Sequence, residues 1–358
     1  MKLVIAYGTR PELIKLAPVY IKAQDRPNVT PILVSLGQHN SIVKQVECYF
    51  NLRPDIRLEL MTERQTLASL SSKILDHSTK ELLRIKPDYV LVQGDTTTAF
   101  MVALAANYLH IPLGHVEAGL RSYDMQNPYP EEMNRVLISK LATHHYAPTI
   151  AAKNALLEEG ISEDDVVHTG NTIIDAIKYV LRDSTLDKGH SIKRTILVTL
   201  HRRENLGDRL HQICMAISDI ARQNKDHEVI FPMHPNPDVR SVVYNTLNNL
   251  ENVSLIEPLN YGALLESIAQ ASLIISDSGG IQEEASYFNT PTLICRRTTE
   301  RSELVEIGLG KLVGDNRDVI VNSALKWLKQ PPSALSLENP FGDGLAAERI
   351  ITDILKRL

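Results

Sequence analysis

Two textures alternate along this 358-residue chain. Short runs rich in Val, Ile, Leu and Tyr are followed by longer stretches in which apolar residues return every three or four positions. An unbroken apolar run marks a strand covered on both faces, and the 3.6-residue return marks one buried stripe of a helix. By this criterion residues 2–8 (KLVIAYG) form a strand, and Pro11 opens a helix with Leu13, Ile14, Leu16, Ala17 and Tyr20 facing inward. Further strands are predicted at 29–37, 88–94 and 112–118, with a helical run at 96–110 and shorter strands at 145–148 and 166–170. The polar stretch 183–194 has no periodicity and reads as a linker. The rhythm then restarts, with strands at 195–200, 228–233, 253–257, 273–276 and 291–295. Pro331, Pro332, Pro340, Gly342 and Gly344 break it, and 345–358 forms a last helix with Ile350, Ile351, Ile354 and Leu355 on one side.

Strands that each feed a helix build a parallel sheet covered on both faces. The pattern therefore predicts an α/β protein of two doubly wound, Rossmann-like domains without a sequence repeat. The expected domains are 1–170 with the helix 344–358, and 171–343. Two such domains facing one another make a cleft outside the carboxyl ends of their strands, where ligands bind in such sheets.

Composition narrows the classes. With 38 basic and 43 acidic residues the net charge is −5, so the basic excess of a nucleic-acid binder is missing. The apolar run at the start is too short for a secretory leader, and no stretch approaches the ~18 unbroken apolar residues of a membrane helix. Cys48, Cys214 and Cys295 form no pair motif, which speaks against a disulfide framework and for a reducing compartment. The expected location is the cytoplasm, without a membrane partner.

Chemistry-bearing residues collect at the strand ends. The first strand runs into Gly8-Thr9-Arg10-Pro11-Glu12, with Lys15 one turn later; the strand at 88–94 into Gly94-Asp95-Thr96-Thr97-Thr98; that at 112–118 into Glu117-Ala118-Gly119-Leu120-Arg121. In the second half the corresponding ends are His201-Arg202-Arg203-Glu204-Asn205, His234-Pro235-Asn236-Pro237 and Asp277-Ser278-Gly279-Gly280. Gly279 and Gly280 at a strand-to-helix turn let a backbone approach a ligand, and the first N–H groups of the helix then point at an anion. Ser278 adds a hydroxyl, and Glu284, about one turn in, can accept from a ribose diol. The same segment is also read as a simple capped turn, with Ser278 as the cap.

No GxxxxGK[ST] loop and no GxGxxG follows the first strand, which disfavours ATP hydrolysis and a nicotinamide dehydrogenase. Arg10 stands where a dinucleotide fold carries glycines and can pair with a diphosphate, or form a surface ion pair. Asp95 is a candidate acid/base group or the cap of the next helix; Glu117, Glu131 and His201 carry a similar choice. His115 reads as structural, and His144 and His145 as the end of a helix. A metal site from His115, Glu117, His201 and Asp277 matches no zinc spacing.

Taken together, GTRPE with Lys15, GDTTT, HVEAGLRS, PYPEEMNR, TGNTIIDA, HRREN, HPNP, SDSGGIQEEA and TTER resemble, in this order, the non-hydrolysing UDP-N-acetylglucosamine 2-epimerases. The resemblance runs from Lys2 to about Gly314. It implies a glycosyltransferase-B-like fold, a homodimer, no nicotinamide or obligate metal, and interconversion of UDP-N-acetylglucosamine with UDP-N-acetylmannosamine. By motif, Asp95, Glu117, Glu131 and His201 match the family's catalytic groups. Arg10, Lys15, Ser278, Gly279, Gly280, Glu284 and Arg301 match its UDP-binding groups. Gln38, His39, Arg64, Arg202 and His234 match a second, allosteric substrate site, although Asn40 and Ser41 depart from the usual pair. Ser302 replaces a usual proline, and Arg297 stands where a small or acidic residue is common; it reads as an exposed arginine or as a cation for a more acidic sugar. The rival readings are a retaining UDP-sugar glycosyltransferase, an epimerase of a modified UDP-N-acetyl sugar, and a nucleotide-sugar sensor that has no need of Asp95, Glu117 and His201 together.

Overall fold

The computed structural model describes residues 1–37, 41–62, 65–182, 194–202, 205–336 and 338–357. The chain forms two units, one of Met1–Arg182 with Phe341–Leu358, the other of Asp183–Pro340. The expected linker at 183–194 lies outside the described residues except for Arg194.

In the first unit the described strands are β1 (Lys2–Tyr7), β2 (Thr30–Ser35), β3 (Ile56–Arg57), β4 (Tyr89–Gln93), β5 (Leu113–Val116), β6 (His144–Ala147) and β7 (Val166–His168). They form one parallel sheet in the order β3-β2-β1-β4-β5-β6-β7. Every position of β4 is buried, and every position of β1 but its first. Val4, Ala6, Val90 and Val92 join a core with Ile74, Leu82, Ala99 and Val102 from the helices Leu67–Ile85 and Thr97–Tyr108. Leu3 and Ile5 alternate with them along the pleat and are equally buried, so both faces of the sheet are covered.

The second unit repeats the plan with β8 (Thr195–Thr199), β9 (Glu228–Pro232), β10 (Val253–Ile256), β11 (Ala271–Ser276), β12 (Thr292–Ile294) and β13 (Gly310–Leu312). This sheet is also parallel, in the order β10-β9-β8-β11-β12-β13. The α/β, doubly wound class read from the sequence is the class observed. β3 and β13, two and three residues long at the sheet edges, are too short to leave a periodic signal.

His144 and His145 belong to a strand and not to the end of a helix. The helix Glu131–Leu141 stops at Ala142, which is extended. His144 then stacks on Tyr89, its Nδ1 2.7 Å from the tyrosine hydroxyl, and buried His145 places Nε2 3.0 Å from the Ser139 carbonyl. The unit boundaries fall at 182/183 and 340/341, against the expected 170/171 and 343/344. The helix Thr172–Leu181 packs on the helix Arg10–Gln24, and its Asp175 accepts the backbone N–H groups of Ala346 and Ala347 at 3.2 and 3.0 Å. A carboxylate there opposes the positive end of the terminal helix Ala346–Arg357. That helix buries Ile350, Ile351 and Ile354 completely and leaves Leu355 exposed, so its apolar stripe is one residue shorter than expected. No helix among the described residues is long and apolar enough to cross a membrane.

In each sheet the order reverses once, between β1 and β4 and between β8 and β11. Connections leave these neighbouring strands in opposite directions, opening a crevice at their carboxyl ends. In the first unit Glu12, fully buried on the helix Arg10–Gln24, closes the base of that crevice. Its carboxylate accepts the Gly8 N–H at 3.2 Å and the Thr96 hydroxyl at 2.9 Å, joining the loops after β1 and β4. Gly8 fits against the start of the helix Thr97–Tyr108 because it lacks a side chain: a Cβ there would lie 2.2 Å from Thr98 Oγ1. Burial pushes the Glu12 carboxyl up to about 7, and the hydrogen bonds from Thr9, Thr96 and Gly8 only partly oppose it.

Two outcomes follow from this packing. Because the Glu12 pKa is raised on folding, its contribution to stability is complete below the unfolded value near 4.5 and is lost as pH rises through about 7. Glu12→Gln removes that dependence, so urea unfolding should show the variant gaining on the wild type between pH 5 and 8, by about 3 kcal/mol at the upper end. A pH-independent difference would mean that Glu12 ionises as freely in the fold as in the unfolded chain. Ile351→Ala should lower the unfolding free energy by about 2–5 kcal/mol, a loss below about 1 kcal/mol being incompatible with a packed terminal helix.

Candidate functional site

The first unit assembles its acidic groups around the ends of β4 and β5. Gly94, at φ +71°, turns the chain out of β4, and buried His115 holds that turn by donating from Nε2 to the Gly94 carbonyl at 2.8 Å. Burial pushes the His115 pKa down to about 3, so the ring is neutral and structural, as its place in the strand suggested. Asp95 follows. It does not cap the next helix: Thr96 does, accepting the Ala99 N–H at 3.0 Å. Asp95 Oδ2 is instead gripped by buried Arg135 at 2.5 Å, while Asn134 donates to the Asp95 carbonyl at 2.8 Å. Arg135 also lies 3.2 Å from buried Glu132. Glu131, half-buried, opens the same helix.

Glu117 sits just past β5 at φ +65°, a left-handed conformation that costs a non-glycine residue on the order of 1–3 kcal/mol. Its buried carboxylate forms an ion pair with buried Lys15 and accepts from Gln93 Nε2 at 3.0 Å. Lys15 was expected with the diphosphate-binding groups; the structure places it on an acid/base candidate of its own unit. Arg10, at the start of the same helix, is half-buried. Arg121, from the HVEAGLRS motif, is spent on structure, with hydrogen bonds to Glu159, Ser139 and the Leu120 carbonyl.

In the second unit the loops after β8 and β11 meet over Asp277, which is fully buried. Asp277 accepts the backbone N–H groups of His201 and Arg202, each at 3.1 Å, and Asn205 Nδ2 at 2.9 Å. His201 Nδ1 lies 3.3 Å from Asp277 Oδ1, and the His201 side chain is 44% exposed. Burial pushes the Asp277 carboxyl up, but the hydrogen bonds and charge of His201, with those of Asn205 and Arg202, outweigh it and hold the pKa below the ordinary value. The His234 ring, at the end of β9, stacks on His201 with centroids 6.1 Å apart. Burial, with His201 beside it, lowers the His234 pKa.

Ser278 occupies the cap position of the helix Gly279–Phe288 but makes no side-chain cap bond, so a simple capping role does not account for its hydroxyl. Arg301 packs against Gly279, where a Cβ would lie 2.7 Å from the Arg301 Nη1. The same guanidinium pairs with Glu283 and Glu300, both at 2.5 Å, and Glu300 also holds Arg296 at 2.8 Å. A Cβ at Gly280 would meet nothing nearer than Ser278 Oγ at 4.0 Å, so the turn is open there. Glu284 is buried on the same helix.

Among the proposed allosteric residues, Gln38, His39 and Arg64 lie outside the described residues, as do Arg203 and Glu204 of the HRREN motif. Arg202 extends toward Glu300, 3.6 Å away. The Arg297 side chain is 69% exposed and 3.7 Å from Asp315, an exposed arginine at a surface ion pair. Among the described residues no group of three or more His, Cys, Asp or Glu side chains is arranged to hold a metal ion. His115 and Glu117 belong to one unit, His201 and Asp277 to the other. The three cysteines are unpaired.

Sequence reasoning overlooked Glu12, Gln93, Arg135 and the grip of Asp277 on His201. Gln93 did leave a signal, as the one polar residue inside an otherwise apolar strand. The partners of Glu12 and Asp277 left none.

Comparison with known proteins gives the family and the fold. A family model described as UDP-N-acetylglucosamine 2-epimerase matches residues 21–356. A protein of Campylobacter jejuni named UDP-N-acetylglucosamine 2-epimerase is 41% identical over 99% of this chain and 97% of its own. The crystal structure of UDP-GlcNAc 2-epimerase from Neisseria meningitidis bound to UDP-GlcNAc superposes with a TM-score of 0.95, at 40% identity over 99% of this chain and all of that one. A Methanocaldococcus jannaschii UDP-GlcNAc 2-epimerase in complex with UDP-GlcNAc and UDP gives 0.88, at 37% identity over 99% and 100% of the two chains. With its motifs in order and its whole length matched, the chain belongs to the UDP-N-acetylglucosamine 2-epimerase family.

Proposed function

We propose that this protein interconverts UDP-N-acetylglucosamine and UDP-N-acetylmannosamine by eliminating UDP and adding it back. The observation that carries the reading is the pair of cation-held acids, Asp95 on Arg135 and Glu117 on Lys15, at the carboxyl ends of adjacent strands β4 and β5. A nucleotide-sugar sensor needs neither.

The chemistry asks for such a pair. The hydrogen on the acetamido-bearing carbon, C2, is not adjacent to a carbonyl, so direct abstraction is very difficult. If the bond from C1 to the diphosphate oxygen breaks first, its electron pair leaves with UDP and C1 becomes oxocarbenium-like. The neighbouring C2–H is then acidic, and a carboxylate removes its proton to leave a glycal. Delivery of a proton to the opposite face of C2, with return of the diphosphate oxygen to C1, completes the inversion without net redox change. Asp95 and Glu117 serve the two faces, and Glu131 orients or assists. His201 gives its proton to the departing diphosphate oxygen and takes it back on re-addition. Arg10, Ser278, the N–H groups of the helix opening at Gly279 and Gly280, and Arg301 hold the phosphates, and Glu284 the ribose. Lys15 acts on Glu117 rather than on the nucleotide, in keeping with their buried ion pair.

In heavy water, purified protein given UDP-N-acetylglucosamine alone should form the manno epimer with deuterium at C2, followed by NMR. An epimer without deuterium, or release of free sugar as the sole product, rules the mechanism out. Transfer only when an acceptor is added selects the glycosyltransferase reading. Asp95→Asn, Glu117→Gln and His201→Asn should each slow turnover by about 100-fold or more while UDP still binds within a few-fold of wild type. Near-normal turnover removes the residue concerned from the mechanism.

A further inference from the structure

His201 and His234 stand side by side with differently occupied ring nitrogens. His201 Nδ1 lies 3.3 Å from an oxygen of Asp277, a buried carboxylate already fixed by two backbone N–H groups and by Asn205. A carboxylate only accepts, so the nitrogen facing it carries the hydrogen. His234 Nδ1, by contrast, accepts the Asn236 N–H at 3.2 Å, which leaves its hydrogen on Nε2. Two stacked imidazoles are thereby set in opposite tautomers by two different neighbours.

We propose that Asp277 is a positioning residue that keeps the hydrogen of His201 on Nδ1 and reserves Nε2 for the proton exchanged with the diphosphate. The bland alternative is that Asp277 merely closes the loop by binding the backbone of His201 and Arg202. That role needs only the two backbone acceptor contacts. It does not account for the contact with the imidazole, or for the exposed ring being tethered to a fully buried anion. In the forward step the imidazolium gives up its Nε2 hydrogen to the leaving oxygen and retains the one on Nδ1; in the return step Nε2 recovers it. A histidine free to place its one hydrogen on Nε2 when neutral would be unable to take that proton back.

This deepens the proposed reaction, and its kinetic arm rests on that reading; the spectroscopic arm does not. Nitrogen-15 NMR of the histidine side chains at pH about 9, where imidazoles are neutral, reports each tautomer. His201 and His234 are assigned by loss of their signals in His201→Gln and His234→Gln. The wild type should show Nδ1–H at His201 and Nε2–H at His234. Asp277→Asn should move His201 to Nε2–H, or to a mixture, and leave His234 unchanged. Its kcat should fall by about 100-fold or more, with KM and UDP binding within about threefold, the pattern of a histidine held in the wrong tautomer.

An Nε2–H tautomer at His201 in the wild type overturns the proposal. So does any folded Asp277→Asn protein whose His201 stays in the Nδ1–H form, whether or not kcat falls. Should the variant not fold, the wild-type spectrum decides alone. Should the wild type form no epimer, the functional reading fails while the tautomer is still read.

Discussion

A buried carboxylate at each reversal of strand order is the constraint on which both units depend. Where the connections of β1 and β4, or of β8 and β11, part in opposite directions, the two loops share no further backbone ladder. Glu12 supplies the missing tie in the first unit and Asp277 in the second, each accepting from the loop of the other strand. Both sit where water is excluded, so each must gather enough donors to offset desolvation. Asp277 has the charge of His201 beside it as well as hydrogen bonds, and its pKa falls; Glu12 has hydrogen bonds alone, and its pKa rises. The same device thus yields a firm anion in one unit and a marginal one in the other.

The candidate chemistry hangs on these ties. Asp95 is the neighbour of Thr96, which Glu12 holds, and His201 is bound to Asp277 by backbone and side chain alike. Outward from them, two acid/base candidates of the first unit have their own cations: Arg135 for Asp95 and Lys15 for Glu117. The cation beside each of these two acids fixes the orientation of its carboxylate.

Much of this was legible in the sequence because strands buried on both faces must be apolar throughout, so β1, β4, β8 and β11 announce themselves. The polar residues that interrupt the pattern at their ends, Arg10, Asp95, His201 and Ser278, are visible for the same reason. Pairing is not legible. Lys15 lies 102 residues from Glu117 and Asp277 lies 76 from His201, and nothing local indicates that they meet. A buried ion pair and a diphosphate ligand both ask for a lysine after a strand, so the pairing of Lys15 with Glu117 left no separate signal. His144 and His145 misled because polar rings inside a strand need partners such as Tyr89 and the Ser139 carbonyl, which come from elsewhere in the fold.

The chain leaves the first unit after Arg182 and comes back to it at Phe341. During synthesis the apolar seat on that unit therefore stays uncovered until Ile350, Ile351 and Ile354 have emerged from the ribosome. Its amino-terminal portion cannot finish folding ahead of the rest, as domains made in simple succession do. The two halves of this protein mature together, and a ribosome that stalls within 183–340 leaves behind a sticky, incomplete first unit rather than a finished one.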